Sequence, residues 1–372
     1  MRRITAEKII EKAVENLKIF KENGLILGIP QHGLVPEELV HASGLFPLRL
    51  TLAGREEQEI GDEYLSPTTC PFGRSSLGFF DIGHELYSKI DYLLTGTFCN
   101  GVQNIGNYAG YFDIPIIPFI SPHTHMKSAF AFYLSEIIKL KKELEKISGR
   151  KITNEDINKS IKIYNEARSI LREIDSYRYQ NPSLISGSEL FYLVHELMLM
   201  GPEKMIEKLI EFRNGIKNNG VIKNRRRIFL TGTGICLGDN LYEFIELECG
   251  GLIVGDDLWS GLDYYRVDVD LNGDFDGNPL ENLARKYLYD NMCGRMIPDP
   301  RINYIYELYK NSNARGIIYH ILKYCDSYSG LKYEFKTSLN KKNIPILELE
   351  RDYAESNIGQ IKTRIEAFLE ML

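Results

Sequence analysis

Short apolar runs recur along this chain, and the gap after most of them leaves room for one helix. They fall at 25–30, 46–50, 91–97 and 114–119, and again at 228–230, 251–254, 316–322 and 345–349. Parallel strands need a crossover of a dozen or more residues, usually a helix. The rhythm therefore predicts βαβ units and parallel sheets, once in each half. A first helix is expected over 5–23, where Ile9, Ile10, Ala13, Leu17 and Phe20 share one face and Gly24 stops it. Further helices are expected over 35–42, from Cys70 through 75–87, and over 240–248, 280–289 and 361–372. Between the halves, 124–212 has lysine- and glutamate-rich helical texture and few strand signals. The expected fold is α/β, with two Rossmann-like parallel-sheet domains facing each other across a cleft and an added helical layer. Its boundaries are expected at 1–123, 124–222 and 223–372.

Bulk properties remove several function classes. A formal net charge of −6 over 372 residues argues against a nucleic-acid footprint. The segment Met1-Arg2-Arg3-Ile4-Thr5 lacks a signal peptide's apolar core, and no apolar run is long enough to span a bilayer. A cytoplasmic location is expected. In that compartment six cysteines are not expected to form disulfides. None forms a Cys-x-x-Cys pair, which weighs against zinc ribbons and thioredoxin-type motifs.

Three cysteines stand where apolar runs end or helices begin: Cys70 in Cys70-Pro71-Phe72-Gly73, Cys99 in Thr97-Phe98-Cys99-Asn100-Gly101, and Cys325 in Tyr324-Cys325-Asp326. They become neighbours only if two α/β units face each other. Three thiolates on one iron-sulfur cube leave an iron open to chemistry; the alternative for each thiol is a small buried hydrophobe. An internal echo supports two similar halves. Leu94-Thr95-Gly96-Thr97-Phe98-Cys99 resembles Leu230-Thr231-Gly232-Thr233-Gly234-Ile235-Cys236. It places Cys99 and Cys236 at carboxyl ends of strands, where open α/β sheets bind ligands.

Other motifs carry less. Asp268-Val269-Asp270-Leu271-Asn272-Gly273-Asp274 imitates a calcium loop, but Pro279 stands where a bidentate glutamate is needed, so a surface turn is expected. His123 and His125 lack a third nearby ligand and read as a loop that caps the next helix. Glu38 and His41 share one face of the 35–42 helix and are the acid/base candidates, against an ordinary surface or capping role. No Walker sequence occurs, so any ATP hydrolysis belongs to another protein.

The order of several segments resembles the 2-hydroxyacyl-CoA dehydratase family, with its benzoyl-CoA reductase and double-cubane cluster relatives. The carrying residues are Val35-Pro36-Glu37-Glu38-Leu39-Val40-His41-Ala42-Ser43-Gly44, Cys70-Pro71, Cys99-Asn100-Gly101, Thr231-Gly232 ahead of Cys236, Tyr324-Cys325-Asp326 and Gly359-Gln360-Ile361-Lys362. The resemblance implies two Rossmann-like domains with a [4Fe-4S] cluster between them, held by Cys70, Cys99 and Cys325. It implies a dehydratase or reductase, supplied with a low-potential electron by a partner ATPase and acting on a small substrate such as a CoA thioester. A homodimer, or a heterodimer with a homologous subunit, is implied as well. The double-cubane branch implies the alternative cofactor, [8Fe-9S], with Cys236 and Cys293 as further ligands. Trp259 stands where one more cysteine of that branch is expected, and Cys249 lies near it in sequence. A non-catalytic cluster carrier is the rival from another class.

Overall fold

The computed structural model describes residues 5–30, 33–218, 220–271, 277–296, 298–353 and 358–372. Each half builds one four-stranded parallel sheet. The first uses β1 (Ile26–Ile29), β2 (Phe46–Arg49), β3 (Tyr92–Gly96) and β4 (Ile116–Phe119), in the order β2-β1-β3-β4. The second uses β5 (Arg226–Gly232), β6 (Gly251–Asp256), β7 (Gly316–Leu322) and β8 (Ile346–Arg351), in the order β6-β5-β7-β8. Every pairing is parallel, for example Ile26 with Phe46 and Ile228 with Gly316. β1, β6 and β7 are buried along their whole length, as expected for strands covered on both faces.

The two sheets have the same topology, so β3 corresponds to β7 and β1 to β5. In each, the direction of winding reverses between the first and third strands. A crevice opens beyond their carboxyl ends at such a switch point. The two crevices meet. Leu52, beyond β2, pairs with Leu237, beyond β5; Leu237 donates its N–H to the Thr51 carbonyl and Ala53 donates to Leu237, both at 2.8 Å. The sheets are thus stitched together at the ends where ligands bind.

The helical layer comprises Lys127–Ser148, Asn154–Tyr179, Gly187–Met200 and Pro202–Gly215. Capping boxes start two of them, Thr153 with Asp156 and Ser186 with Glu189. The helix Asn154–Tyr179 ties both halves. Its Arg168 pairs with Glu38 of the first half, and its Arg178 pairs with Asp256 at the end of β6 at 2.6 Å.

Some boundaries depart from expectation. The helix expected to open at Cys70 and reach 87 runs over Pro71–Asp81 and stops before Gly83, whose φ of +61° no right-handed helix accommodates. Over 240–248 the chain makes one α turn, Leu241–Glu243, that runs into a π turn, Phe244–Glu248. Helices Asn100–Tyr108 and Asp326–Asn340, unassigned from the sequence, start at Cys99 and Cys325. Among the described residues no helix is long and apolar enough to cross a membrane.

Candidate functional site

Each of the three cysteines at 70, 99 and 325 occupies the N-cap of a helix: Pro71–Asp81, Asn100–Tyr108 and Asp326–Asn340. A helix N-terminus exposes N–H groups without intrahelical partners, and the sulfurs lie beside them. Cys70 lies against the N–H groups of Phe72 and Gly73, Cys99 against Val102, and Cys325 against Ser327 and Tyr328. The Thr233 hydroxyl also meets Cys325. All three thiols line one cavity of about 60 Å³ between the halves, and Cys293 joins them. The Arg295 N–H donates to the Cys293 sulfur at 3.5 Å.

Gly101 sits beside two of the cysteines: a Cβ there would stand 3.3 Å from Cys70 Cβ and in ordinary contact with the sulfurs of Cys70 and Cys99, at 3.6 and 3.9 Å. Burial raises the pKa of all four thiols. Their mutual proximity adds to this in the pairs Cys70–Cys325, Cys70–Cys99, Cys99–Cys325, Cys293–Cys99 and Cys293–Cys325. Burial pushes Cys99 up to about 11 and Cys293 up to about 12. Arg295 and Arg301 pull Cys99 and Cys293 the other way without offsetting burial; a soft, positively charged metal centre is what ionises such a set of half-buried thiols.

The donor set therefore fits an iron-sulfur cluster: convergent thiols, N–H groups beside sulfur, and one cavity that the thiols share between the halves. Among the described residues no group of three or more His, Cys, Asp or Glu side chains has the spacing that holds a single metal ion. A polynuclear cluster spreads its ligands over several irons, so wider spacing suits it.

The other sequence candidates lie elsewhere. Cys236 is fully buried and lines no part of this cavity; its sulfur sits near the Tyr87 and Tyr353 hydroxyls. The echo that paired Cys99 with Cys236 compared β3 with β5. By topology the counterpart of Cys99 is Cys325, after β7. Cys249 lies apart from the cavity, at the end of the π turn. Glu38 is wholly buried, paired with Arg168 and accepting from the Tyr287 hydroxyl at 2.7 Å. His41 is half-buried beside Ser160, 2.9 Å away, and Glu203, in a separate pocket. Neither residue reaches the cysteines. His123 donates to the Phe98 carbonyl at 3.1 Å in a shallow depression with Arg295 and Asp326, whereas His125 packs on Tyr289. Of the calcium-like stretch, Asp268 is held by both terminal nitrogens of Arg172, at 2.9 and 2.6 Å, and Asn272 to Asp276 lie outside the described residues.

Sequence reasoning missed the polar residues that line the same cavity, Asp257, Asp263, Asn291 and Arg301. Asp257 pairs with Arg301 at 2.5 Å; burial, outweighing the pull of Arg301, raises it to about 6. The only hint was position, since Asp257 directly follows β6. Trp259 lies over Gly234, where a Cβ would stand 1.6 Å from the indole nitrogen. The glycine of the Thr-Gly-Thr-Gly turn thus makes room for a wall of this cavity rather than for phosphate.

The family model described as 2-hydroxyglutaryl-CoA dehydratase, D-component, matches residues 33–372, and the chain belongs to that family. It is 28% identical over 348 residues to the (R)-phenyllactyl-CoA dehydratase beta subunit of Clostridium sporogenes, covering 91% of this chain and 89% of that one. It is 25% identical over 347 residues to a benzoyl-CoA reductase subunit of Thauera aromatica, covering 88% and 85%. The (R)-phenyllactyl-CoA dehydratase alpha subunit of Clostridium sporogenes matches at 23% over 334 residues, covering 82% and 77%.

Proposed function

We propose that this chain is the cluster-bearing subunit of a dehydratase or reductase that works on a small substrate such as a CoA thioester. The observation that carries the reading is the convergence of Cys70, Cys99 and Cys325, from both sheets, in one cavity between the halves. These three residues would hold a [4Fe-4S] cluster. When bound, such a cluster supplies one-electron chemistry at low potential.

The chain's own residues prepare the site. N–H groups of the three helix N-termini stabilise negative charge on sulfur. Arg295 donates to the Phe98 carbonyl at 3.3 Å and to Asp326 at 2.7 Å, which fixes the rim beside Cys99 and Cys325. The low-potential electron would come from an ATP-hydrolysing partner, because this sequence carries no Walker motif. Relatives named alpha and beta subunits support assembly with a homologous chain.

Cys293 favours a second reading, the [8Fe-9S] double cubane, since it adds a fourth thiol to the cavity. Anaerobic iron and sulfide analysis separates the two: about four irons per chain for a single cube and about eight for a double one. Cys70→Ala, Cys99→Ala and Cys325→Ala are each expected to lose the brown colour and the iron. Full iron in these variants overturns the assignment. With a single cube, Cys293→Ala keeps its iron.

A further inference from the structure

A second cavity, of about 260 Å³, shares no lining residue with the thiol cavity. Its wall comes from segments that follow β5 and end β8. Asp239 lies just past the Leu237 stitch, and Arg351 is the last residue of β8. They are 4% and 9% exposed. Arg351 Nη2 donates to Asp239 Oδ1, which also accepts the Leu241 N–H at 3.2 Å. The pair leaves two polar atoms over: Asp239 Oδ2 and Arg351 Nε are buried and have no hydrogen-bond partner among the described residues. The Tyr353 hydroxyl is a third such atom, and Tyr353 lines the same cavity. Its backbone N–H donates to Gln58 Oε1 at 3.1 Å, which ties this wall to the first half. Buried polar atoms left unpaired cost stability until something bonds them.

Charge narrows what fits. Asp352 is held by Lys323 at 2.9 Å and Arg55 by Glu59 at 3.1 Å, so the charged residues of the wall are matched in pairs. A carboxylate would meet Asp239 and Asp352, and an amidinium would meet Arg351 and Arg55. Asp239 Oδ2 requires a donor, and Arg351 Nε requires an acceptor. Both belong to one ion pair, so one small group reaches both. A carboxamide carries N–H and C=O side by side without net charge. The Tyr353 hydroxyl, donor and acceptor at once, bonds whichever of the amide's remaining sites meets it. Leu241, Phe244, Ile358 and Ile361 line the same space and suit an apolar body behind the amide. About 260 Å³ admits a ring-sized molecule.

We propose that this second cavity binds a compact neutral carboxamide with an apolar ring or short chain, its carbonyl accepting from Arg351 Nε and its N–H donating to Asp239 Oδ2. The site goes beyond the proposed cluster chemistry and does not depend on it. The Tyr353 hydroxyl lies near the sulfurs of Cys70 and Cys236, which puts an occupant one side chain away from a thiol of the first cavity.

Thermal-shift titration of the anaerobically purified full chain tests this with four matched probes: benzamide, anionic benzoate, cationic benzamidine and N,N-dimethylbenzamide, which keeps the carbonyl and lacks the N–H. Iron is counted in every sample. Benzamide is expected to reach half-maximal stabilisation at a concentration about fivefold or more below the other three. Tyr353→Phe removes a hydroxyl that has no partner in the unliganded chain, so it should fold normally and need about threefold more benzamide. Asp239→Asn puts an amide nitrogen where the acceptor stood and leaves the Arg351 charge uncompensated, so the preference should pass from benzamide to benzoate. A substitution that merely loosened the fold would not reverse the order of the probes. Equal stabilisation by all four, none by benzamide, or an Asp239→Asn protein that still prefers benzamide overturns the proposal. If Asp239→Asn does not fold, Tyr353→Phe decides, and an unchanged benzamide requirement overturns it. A preference that vanishes in Cys325→Ala also overturns it, because the amide would then sit among the thiols. Preference without iron sinks the cluster reading and leaves this site standing; iron without preference does the reverse.

Discussion

Glu38 shows how one residue is committed by its surroundings. It is 0% exposed, and burial alone would raise its pKa. Arg168, Lys286 and the Tyr287 hydroxyl outweigh burial and hold it at about 2, below the ordinary 4.5. A carboxyl with a lowered folded pKa stabilises the fold fully above its unfolded value and loses that contribution as pH falls toward the folded one. Glu38→Gln leaves the Arg168 charge buried and unpaired, an expected cost of about 3 kcal/mol at pH 7. Urea titrations at pH 7 and in steps from pH 4.5 to 2 should show the gap between wild type and variant closing as pH drops. A gap that stays constant would mean that the pair does not carry the stability. The same residue marks the reach of sequence reading. A glutamate three residues from a histidine on one helix face suggests acid/base work, because periodicity reports which face a residue shares. Arg168 lies 130 positions away, and no local pattern announces it.

At the scale of elements, Cys70 is placed by how two helices cross. Arg55–Gly61 and Pro71–Asp81 touch backbone to backbone through glycines. A Cβ on Gly78 would stand 1.9 Å from the Glu57 carbonyl oxygen, and one on Gly61 would stand 2.0 Å from that of Arg74. Gly78→Ala must push the helices apart, at an expected cost of about 1–3 kcal/mol. Because Cys70 caps the second helix, iron content should fall with stability; a stable variant with full iron would show that the crossing tolerates the methyl group. Gly330→Ala is the opposite case. Gly330 is exposed within the helix Asp326–Asn340, with nothing within 4 Å of an added Cβ. Alanine there should stabilise by about 0.5–1 kcal/mol, read as a higher urea midpoint. The sequence suggested a helix after Cys70 from Pro71 and the apolar spacing. It carried no sign of the helix after Cys325, where Gly330 and a polar run mask the period.

For the whole molecule, the cavity is a joint. Cys70 and Cys99 come from the first half, and Cys293 and Cys325 from the second. The helix Asn154–Tyr179 adds buried ion pairs to both halves, through Arg168 and Arg178. Under the proposed reading, a cluster bridging the halves stabilises the native assembly by mass action. Chelating the iron anaerobically should lower the melting temperature by several degrees, measured by calorimetry before and after. In Cys70→Ala the same treatment should change nothing. An unchanged melting temperature in wild type would place the iron, if present, outside the joint.

Local order along the chain was enough to determine eight strands, their parallel pairing and one helix start, at Cys70. Strand period, turn residues and N-caps are interactions between near neighbours, so they are written in consecutive residues. Tertiary structure alone decided that Cys325, not Cys236, is the counterpart of Cys99, that Cys293 joins the thiols, and that Glu38 is clamped away from them. It alone placed Asn291, Asp263 and Gly33 in the lining of the same cavity. Those facts depend on how two sheets meet at their switch points, and contacts between residues separated by a hundred positions or more leave no period in the sequence.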